Sequence, residues 1–256
     1  MLTTLAVENN RSLRKLREPV VRLRDEAGGW GMVPRPMKPY DSMLSELADP
    51  QRAPDPLALR ERIRSWRFYD HLRTGAAAPA RTPQIGTRTL ALAHDGADVT
   101  AALRTVIEID DAGALAETVD HAFPGSRVEI VNRDGRFELL LHQPTLSRPL
   151  AAPELSDGTP RYLLLVAAQL SPRPLRLLNE PETSLHPDLL APLGRLIARA
   201  AEDAQLVVVS HSDELIGVVD EYADDGTMIE LLEQEGVTTV AGQESADEPL
   251  WYRPDR

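Results

Sequence analysis

The segment Leu175-Arg176-Leu177-Leu178-Asn179-Glu180-Pro181-Glu182-Thr183-Ser184-Leu185-His186-Pro187 joins a short apolar run to a polar, acidic one. The apolar part, residues 175–178, predicts a strand covered on both faces, because such strands show no polar alternation. The carboxyl ends of parallel strands border the ligand crevice of an open α/β sheet. We therefore expect this strand to fix the carboxylate of Glu180 where it can polarise an attacking water.

A second apolar run, Val207-Val208-Val209-Ser210-His211-Ser212, brings a histidine 31 residues after Glu180. Helical patterns at residues 159–170 and 189–201 precede and separate the two runs. Helices that alternate with continuously apolar strands are typical of an α/β fold with a parallel sheet. The pattern predicts that Glu180 and His211 meet at one edge of that sheet.

The third informative stretch is Leu155-Ser156-Asp157-Gly158-Thr159, which stands directly before the first of these helices. A serine hydroxyl together with the free amides of a helix N-terminus forms an anion site. The stretch therefore predicts a phosphate contact.

These three stretches resemble the signature loop, the Walker B strand with its D-loop, and the switch histidine of RecF-like ATPases. That family is related to SMC and ABC ATPases and is catalogued as AAA-type. The resemblance is specific over residues 155–215 and looser at residues 2–13 and 92–98. It implies an α/β, ABC-type P-loop NTPase-like head, with a mixed sheet covered by helices and a helical and β-hairpin lobe.

The resemblance also implies roles for individual residues. Glu180 corresponds to the carboxylate that orients the attacking water, and His211 to the γ-phosphate sensor. The nucleotide contacts that carry over are Ser156, Asp157 and Gly158 in the signature loop, Asn179 in Walker B and Ser184 in the D-loop. Asn179 replaces the commoner Asp, so its link to Mg²⁺ would be weak and run through water, because an amide supplies no charge.

The phosphate-binding lysine loop of the family, Gly-x-x-x-x-Gly-Lys-Ser/Thr, does not occur in this sequence. The two lysines, Lys15 and Lys38, lack the required glycine six positions earlier, and the Gly28-Gly29-Trp30-Gly31 cluster reads as a flexible turn. Two hypotheses stay open. One is an ATPase head that binds ATP and Mg²⁺ but is degenerate. The other is a non-catalytic interaction protein that lends its signature loop to an intact ATPase partner.

The pattern along the chain predicts five regions. They are a first-strand region (1–24), a Gly- and Pro-rich connector (25–56), an inserted helical and hairpin lobe (57–150), the distal half of the head (151–245) and a tail (246–256). Within the lobe, helices are expected at residues 57–65, near 99–107 and at 112–123, and a strand at 66–69. Asp134-Gly135 predicts a hairpin between strands at 127–131 and 137–142.

Composition and charge narrow the function classes. The formal net charge is -12, there is no cysteine, and no apolar run approaches the roughly 20 residues of a membrane span. We expect a cytoplasmic protein whose chemistry uses oxygen and nitrogen groups. The acidic excess lies after residue 201. The basic segment from Arg11 to Arg24 is either a solvated face or a contact for DNA phosphates.

Other chemistries fit the sequence less well. A serine hydrolase built from Ser210, His211 and Asp213 is rejected because neighbouring strand residues point to opposite faces and no Gly-x-Ser-x-Gly turn occurs. A metal site from His186 and His211 lacks paired spacing. The family's Q-loop glutamine has only Gln84 and Gln143 as candidates.

Overall fold

A computed structural model describes residues 5–6, 22–24, 29–32, 42–46, 54–110, 112–234 and 236–242. Most of the basic segment, both lysines and the tail after residue 242 lie outside these ranges. The predictions made for them keep the standing that the sequence alone allows.

The described strands and helices alternate irregularly along the chain. In chain order they are β1 (Leu5–Ala6), β2 (Arg22–Arg24), β3 (Trp30–Met32), α1 (Met43–Glu46), α2 (Pro54–Ser65), β4 (Arg67–Tyr69), β5 (Gln84–Ile85), α3 (Val99–Thr105), α4 (Ala112–Ala122), β6 (Arg127–Arg133), β7 (Arg136–His142), β8 (Leu150–Ala151), α5 (Gly158–Leu170), β9 (Leu175–Asn179), α6 (Leu190–Ala201), β10 (Gln205–Val209), α7 (Asp213–Tyr222), β11 (Leu231–Gln234) and β12 (Val237–Val240). A single π-helical turn, Val106–Asp110, continues α3.

A parallel sheet in the order β10-β9-β4 carries the apolar runs of the sequence. Val208 pairs with Leu178 and Val209 with Asn179, so the two strands end at the same edge, as predicted. β4 joins the other side of β9 in parallel, with Tyr69 opposite Leu178. The mixed α/β fold predicted from the sequence is confirmed.

A second, antiparallel sheet forms the lobe in the order β5-β7-β6, with β8 beside β7. Arg133 pairs with Arg136, which leaves Asp134 and Gly135 as the two turn residues. Their φ angles are 52° and 78°, the left-handed conformations that a tight hairpin turn requires and that an Asp-Gly pair adopts readily. The predicted hairpin is confirmed.

The hydrophobic core lies between the two sheets and α5. All residues of α5 from Arg161 to Gln169 are buried, so this helix is central. One face of the parallel sheet belongs to this core. We name it the core face, and its members are Tyr69, Arg176, Leu178, Leu206 and Val208.

The opposite face of the same sheet is apolar as well but exposed. By register it comprises Phe68, Leu175, Leu177, Val207 and Val209, and we name it the outer face. Phe68, Val207 and Val209 are 43%, 41% and 40% exposed. The prediction that helices cover these strands on both faces is therefore wrong for the part of the chain that the structure describes.

Two details of the helices refine the sequence reading. Pro192 is the third residue of α6, within the first turn, where N–H groups have no intrahelical partner, so it does not interrupt the helix. Gly194 lets α6 approach α7, because a Cβ at this position would lie 2.5 Å from Val218 Cγ1. The structure adds α7, β8 and the β11–β12 hairpin, for which the sequence supported no prediction. Within the described ranges, no helix has both the length and the apolarity to cross a membrane.

Candidate functional site

Glu180 occupies the first position after β9, in a turn of unusual backbone conformation. Its φ of 45° is left-handed, which a non-glycine residue adopts only where its surroundings hold it there. Its amide donates to the carbonyl of Val209 at 2.8 Å, which extends the β9–β10 pairing into the turn. The carboxylate is thereby fixed at the sheet edge while its side chain stays half-exposed.

His211 approaches this carboxylate from the end of β10. Its Nε2 lies 3.5 Å from Glu180 Oε1, and the imidazole is largely exposed. Thr183 donates its hydroxyl to the other oxygen, Oε2, at 3.4 Å. A carboxylate and an imidazole thus face each other at an open edge, where they can orient a water and contact an anion.

Glu182 holds the two strand ends together, a role that the sequence did not suggest. Its Oε1 accepts hydrogen bonds from the hydroxyl of Ser210 at 2.7 Å and from the amide of His211 at 2.8 Å. Its Oε2 is buried and has no hydrogen-bond partner among the described residues. The hydroxyl of Ser210 is engaged with Glu182, which agrees with the rejection of a serine hydrolase.

The loop before α5 meets the turn after β9 through Gly158. A Cβ at this position would lie 3.3 Å from the carbonyl oxygen of Ser184, so a larger residue would press on that backbone. Ser184 itself has a φ of 66°. Ser156 and Asp157 are exposed beside Gly158, and the hydroxyl of Ser156 lies 3.2 Å from that of Thr159. The predicted signature and D-loop residues therefore adjoin each other.

Arg161, one turn into α5, connects this loop region to the carboxylate. Its Nη1 donates to the carbonyl of Leu72 at 2.9 Å and its Nη2 to the carbonyl of Glu180 at 3.2 Å. Burial lowers the pKa of Arg161, and the nearby charge of Glu182 opposes that shift. The helix that begins at the signature loop is thus tied to the backbone of the residue that carries the candidate carboxylate.

The remaining predicted residues lie around these two groups. Asn179 is half-buried at the end of β9, level with Val209. Gln84 is buried in the lobe and its amide is engaged, because its Oε1 accepts from Thr100 N at 2.9 Å and its Nε2 donates to Pro79 O at 3.3 Å. His186 Nδ1 accepts from the amide of Asp188 at 3.3 Å. Across the described ranges, no group of three or more His, Asp or Glu side chains could hold a metal ion.

Comparison with known proteins places the chain among ATPase domains. Residues 39–217 match the family described as "AAA domain, putative AbiEii toxin, Type IV TA system". No curated protein matches the sequence.

Several solved structures of SMC proteins have a similar fold. A crystal structure of an SMC head bound to the C-winged helix domain of ScpA aligns with a TM-score of 0.51 at 16% identity, over 86% of this chain and 67% of that one. The SMC head domain from Thermotoga maritima aligns at 0.41 and 16% identity, over 94% and 72%. A structure from work on ATP-driven dimerization and DNA-stimulated activation of SMC ATPases aligns at 0.42 and 18%, over 50% and 79%.

Proposed function

The chain belongs to this AAA-domain family, and we propose that it is an ABC-type ATPase head that binds ATP and hydrolyses it slowly. The observation that carries the proposal is the approach of His211 Nε2 to Glu180 Oε1, 3.5 Å apart at the carboxyl edge of the parallel sheet. We assign this edge to the distal half of the head, residues 151–245, and the antiparallel sheet to the inserted lobe, residues 57–150.

The chemistry follows from the side chains at that edge. Glu180 accepts a hydrogen bond from the attacking water and orients it, since its carboxylate is fixed by the turn and by Thr183. His211 donates to a phosphate oxygen from the opposite side. ATP with Mg²⁺ supplies the phosphoryl group and the cation that neutralises it. The donors at the end of β9, Asn179 and Glu180, are oxygen ligands, which fit Mg²⁺ and its bound waters.

The signature and D-loop residues serve a second phosphate contact. Ser156 presents a hydroxyl, and Gly158 exposes the amides at the start of α5, the arrangement that binds anions at helix N-termini. Gly158 and Ser184 adjoin each other on one surface. We propose that this surface faces a second head, so that each signature loop touches the nucleotide of the other subunit. RecF-like action on DNA is a further proposal, and it depends on the basic segment.

A titration with a fluorescent ATP analogue and Mg²⁺, followed by phosphate-release assays, tests this proposal. We expect saturable binding and a release rate that falls about a hundredfold in Glu180→Gln, because the water loses its base. Glu221→Gln, an exposed acid on α7, is the matched control and should leave the rate unchanged. Equal rates in wild type and Glu180→Gln would refute hydrolysis at this site.

The missing lysine loop favours a second candidate function. Without the lysine that binds the β- and γ-phosphates, the chain would hold ATP weakly by itself. It would then act as a pseudo-ATPase that lends Ser156 and Gly158 to an intact partner. The discriminating assay mixes the chain with an intact head of the same family. Stimulated hydrolysis that Ser156→Arg abolishes and Glu180→Gln preserves would support the second candidate, whereas dependence on Glu180 would support the first.

A further inference from the structure

Arg81 is a buried arginine, only 5% exposed, whose guanidinium reaches the signature loop from the lobe. Its Nε donates to the carbonyl of Thr74 at 2.7 Å. Its Nη1 donates to the carbonyls of Ala152 at 3.0 Å and Leu155 at 2.6 Å, and its Nη2 to Asp157 Oδ1 at 2.6 Å. One side chain therefore holds both ends of the segment that leads into α5.

The shape of the guanidinium makes this contact rigid. Its donors are coplanar and point in fixed directions, so satisfying all four acceptors leaves little freedom for the loop. A buried cation also costs free energy unless its hydrogen bonds are made, and here three carbonyl dipoles and one carboxylate make them. Leu155 is buried beside it, and Ser156, the next residue, is exposed. The arrangement fixes where Ser156 is presented.

The charge of Asp157 gives Arg81 a second effect. Asp157 directly precedes α5, and its exposed carboxylate makes no capping hydrogen bond to the helix. An unpaired carboxylate at this position would repel a phosphate that approaches Ser156 and the first amides of α5. The bond from Arg81 places a compensating positive charge 2.6 Å away.

We propose that Arg81 is a positioning residue for the signature loop, which it holds in shape while cancelling the charge of Asp157 so that a phosphate can bind there. This inference rests on the proposed function for its ligand, ATP. It does not rest on it for the geometry of the loop. The two parts are tested by two measurements on the full chain.

The first measurement is backbone amide hydrogen exchange over residues 152–159, without nucleotide. In Arg81→Met we expect exchange in this segment to be at least roughly tenfold faster, because several hydrogen bonds that hold the loop are lost. Arg133→Met, which removes an exposed arginine from the β6–β7 hairpin, is the matched control and should not change it. Unchanged exchange in Arg81→Met would overturn the positioning role. If Arg81→Met fails to fold, Arg81→Lys takes its place, because a single ammonium cannot reach all four acceptors.

The second measurement is the affinity of the full chain for the fluorescent ATP analogue with Mg²⁺. We expect roughly tenfold weaker binding in Arg81→Met, near wild-type or tighter binding in Asp157→Asn, and partial recovery in the double variant, because the repelling charge is then gone. A purely structural arginine would give no recovery, and that result would overturn the charge role. If the wild type binds no analogue, the proposed function fails, and the exchange comparison alone decides whether Arg81 positions the loop.

Discussion

The two faces of the parallel sheet have similar apolar residues but opposite surroundings. On β9, Leu178 points into the core face and is fully buried, whereas its neighbour Leu177 lies on the outer face and is half-buried. On β10, Val208 packs on the core while Val207 and Val209 are exposed. Burial and not residue type therefore separates the faces. The core face supplies folding free energy, and the outer face leads to Asn179 and the candidate site.

Truncation of adjacent leucines should give the largest difference between the faces. Leu178→Ala should lower the free energy of unfolding by about 3 kcal/mol, since it removes a fully buried side chain and leaves a cavity. Leu177→Ala should cost about 1 kcal/mol or less. Urea denaturation followed by circular dichroism measures both. Equal losses would mean that the outer face is covered in solution.

The core face also contains a buried arginine that bonds the ends of two helices. Arg176 donates to the carbonyls of Ala168, Gln169 and Ser171, and through Nη2 to that of Ala200 at 3.0 Å. The last carbonyls of a helix have no intrahelical partner. Burial lowers the pKa of Arg176, and only carbonyl groups are reported as its hydrogen-bond acceptors.

Replacing this arginine should therefore cost nearly as much as the leucine. We expect Arg176→Met to lower the free energy of unfolding by about 2 kcal/mol, because buried carbonyls at the ends of α5 and α6 lose their donor. Gln205→Met, at an exposed outer-face position of β10, is the control and should stay within about 0.5 kcal/mol of wild type. A stabilised Arg176→Met would show that desolvation of the guanidinium outweighs its hydrogen bonds.

Tyr69 makes the core face sensitive to alkaline pH. Burial raises its pKa to about 12, against the opposing charges of Arg67 and Arg176, and its hydroxyl donates to the carbonyl of Leu92 at 3.1 Å. The unfolded chain releases this proton near pH 10, so the folded state binds more protons above that pH. Stability from Tyr69 is complete below pH 10 and is lost as pH rises towards 12.

A tyrosine-to-phenylalanine pair measures this contribution. Between pH 10 and pH 11, Tyr69 should account for a loss of about 1 kcal/mol in the free energy of unfolding, which Tyr69→Phe removes. Tyr222→Phe, at an exposed position of α7, should leave the pH profile as in wild type. Tyr162, whose pKa burial also raises, contributes equally to all three curves. Parallel profiles for Tyr69→Phe and wild type would contradict the assigned burial.

The sequence was a good guide where structure depends on local pattern. The apolar runs of β9 and β10 and the Asp134-Gly135 turn were predicted because strand burial and left-handed turn residues leave direct marks on the sequence. The meeting of Glu180 and His211 followed from one further rule, that neighbouring parallel strands end at the same edge.

The contacts that remained hidden are those between distant or atypical residues. Arg81 and Asp157 are 76 positions apart, and an arginine in a connector reads as exposed until its acceptors are known. β4 pairs with β9 across the whole lobe, which no local pattern announces. Glu182 looked like one polar residue of a motif, because its bonds to Ser210 and His211 cross between strand ends. Coverage on both faces was wrongly predicted because apolar strands look alike whether or not a second layer is present.

The smallest effect is expected on the outer face itself. Val209→Thr changes a side chain that is 40% exposed into one of almost equal shape with a hydroxyl that water can reach, so the free energy of unfolding should change by less than about 0.5 kcal/mol. Val208→Thr, the adjacent residue packed on the core, should cost about 1 to 2 kcal/mol, because its hydroxyl would be buried. Denaturant titration of the two variants side by side measures this ratio. If Val209→Thr costs as much as Val208→Thr, the outer face is buried in the protein in solution, and the contrast between the faces belongs only to the described residues.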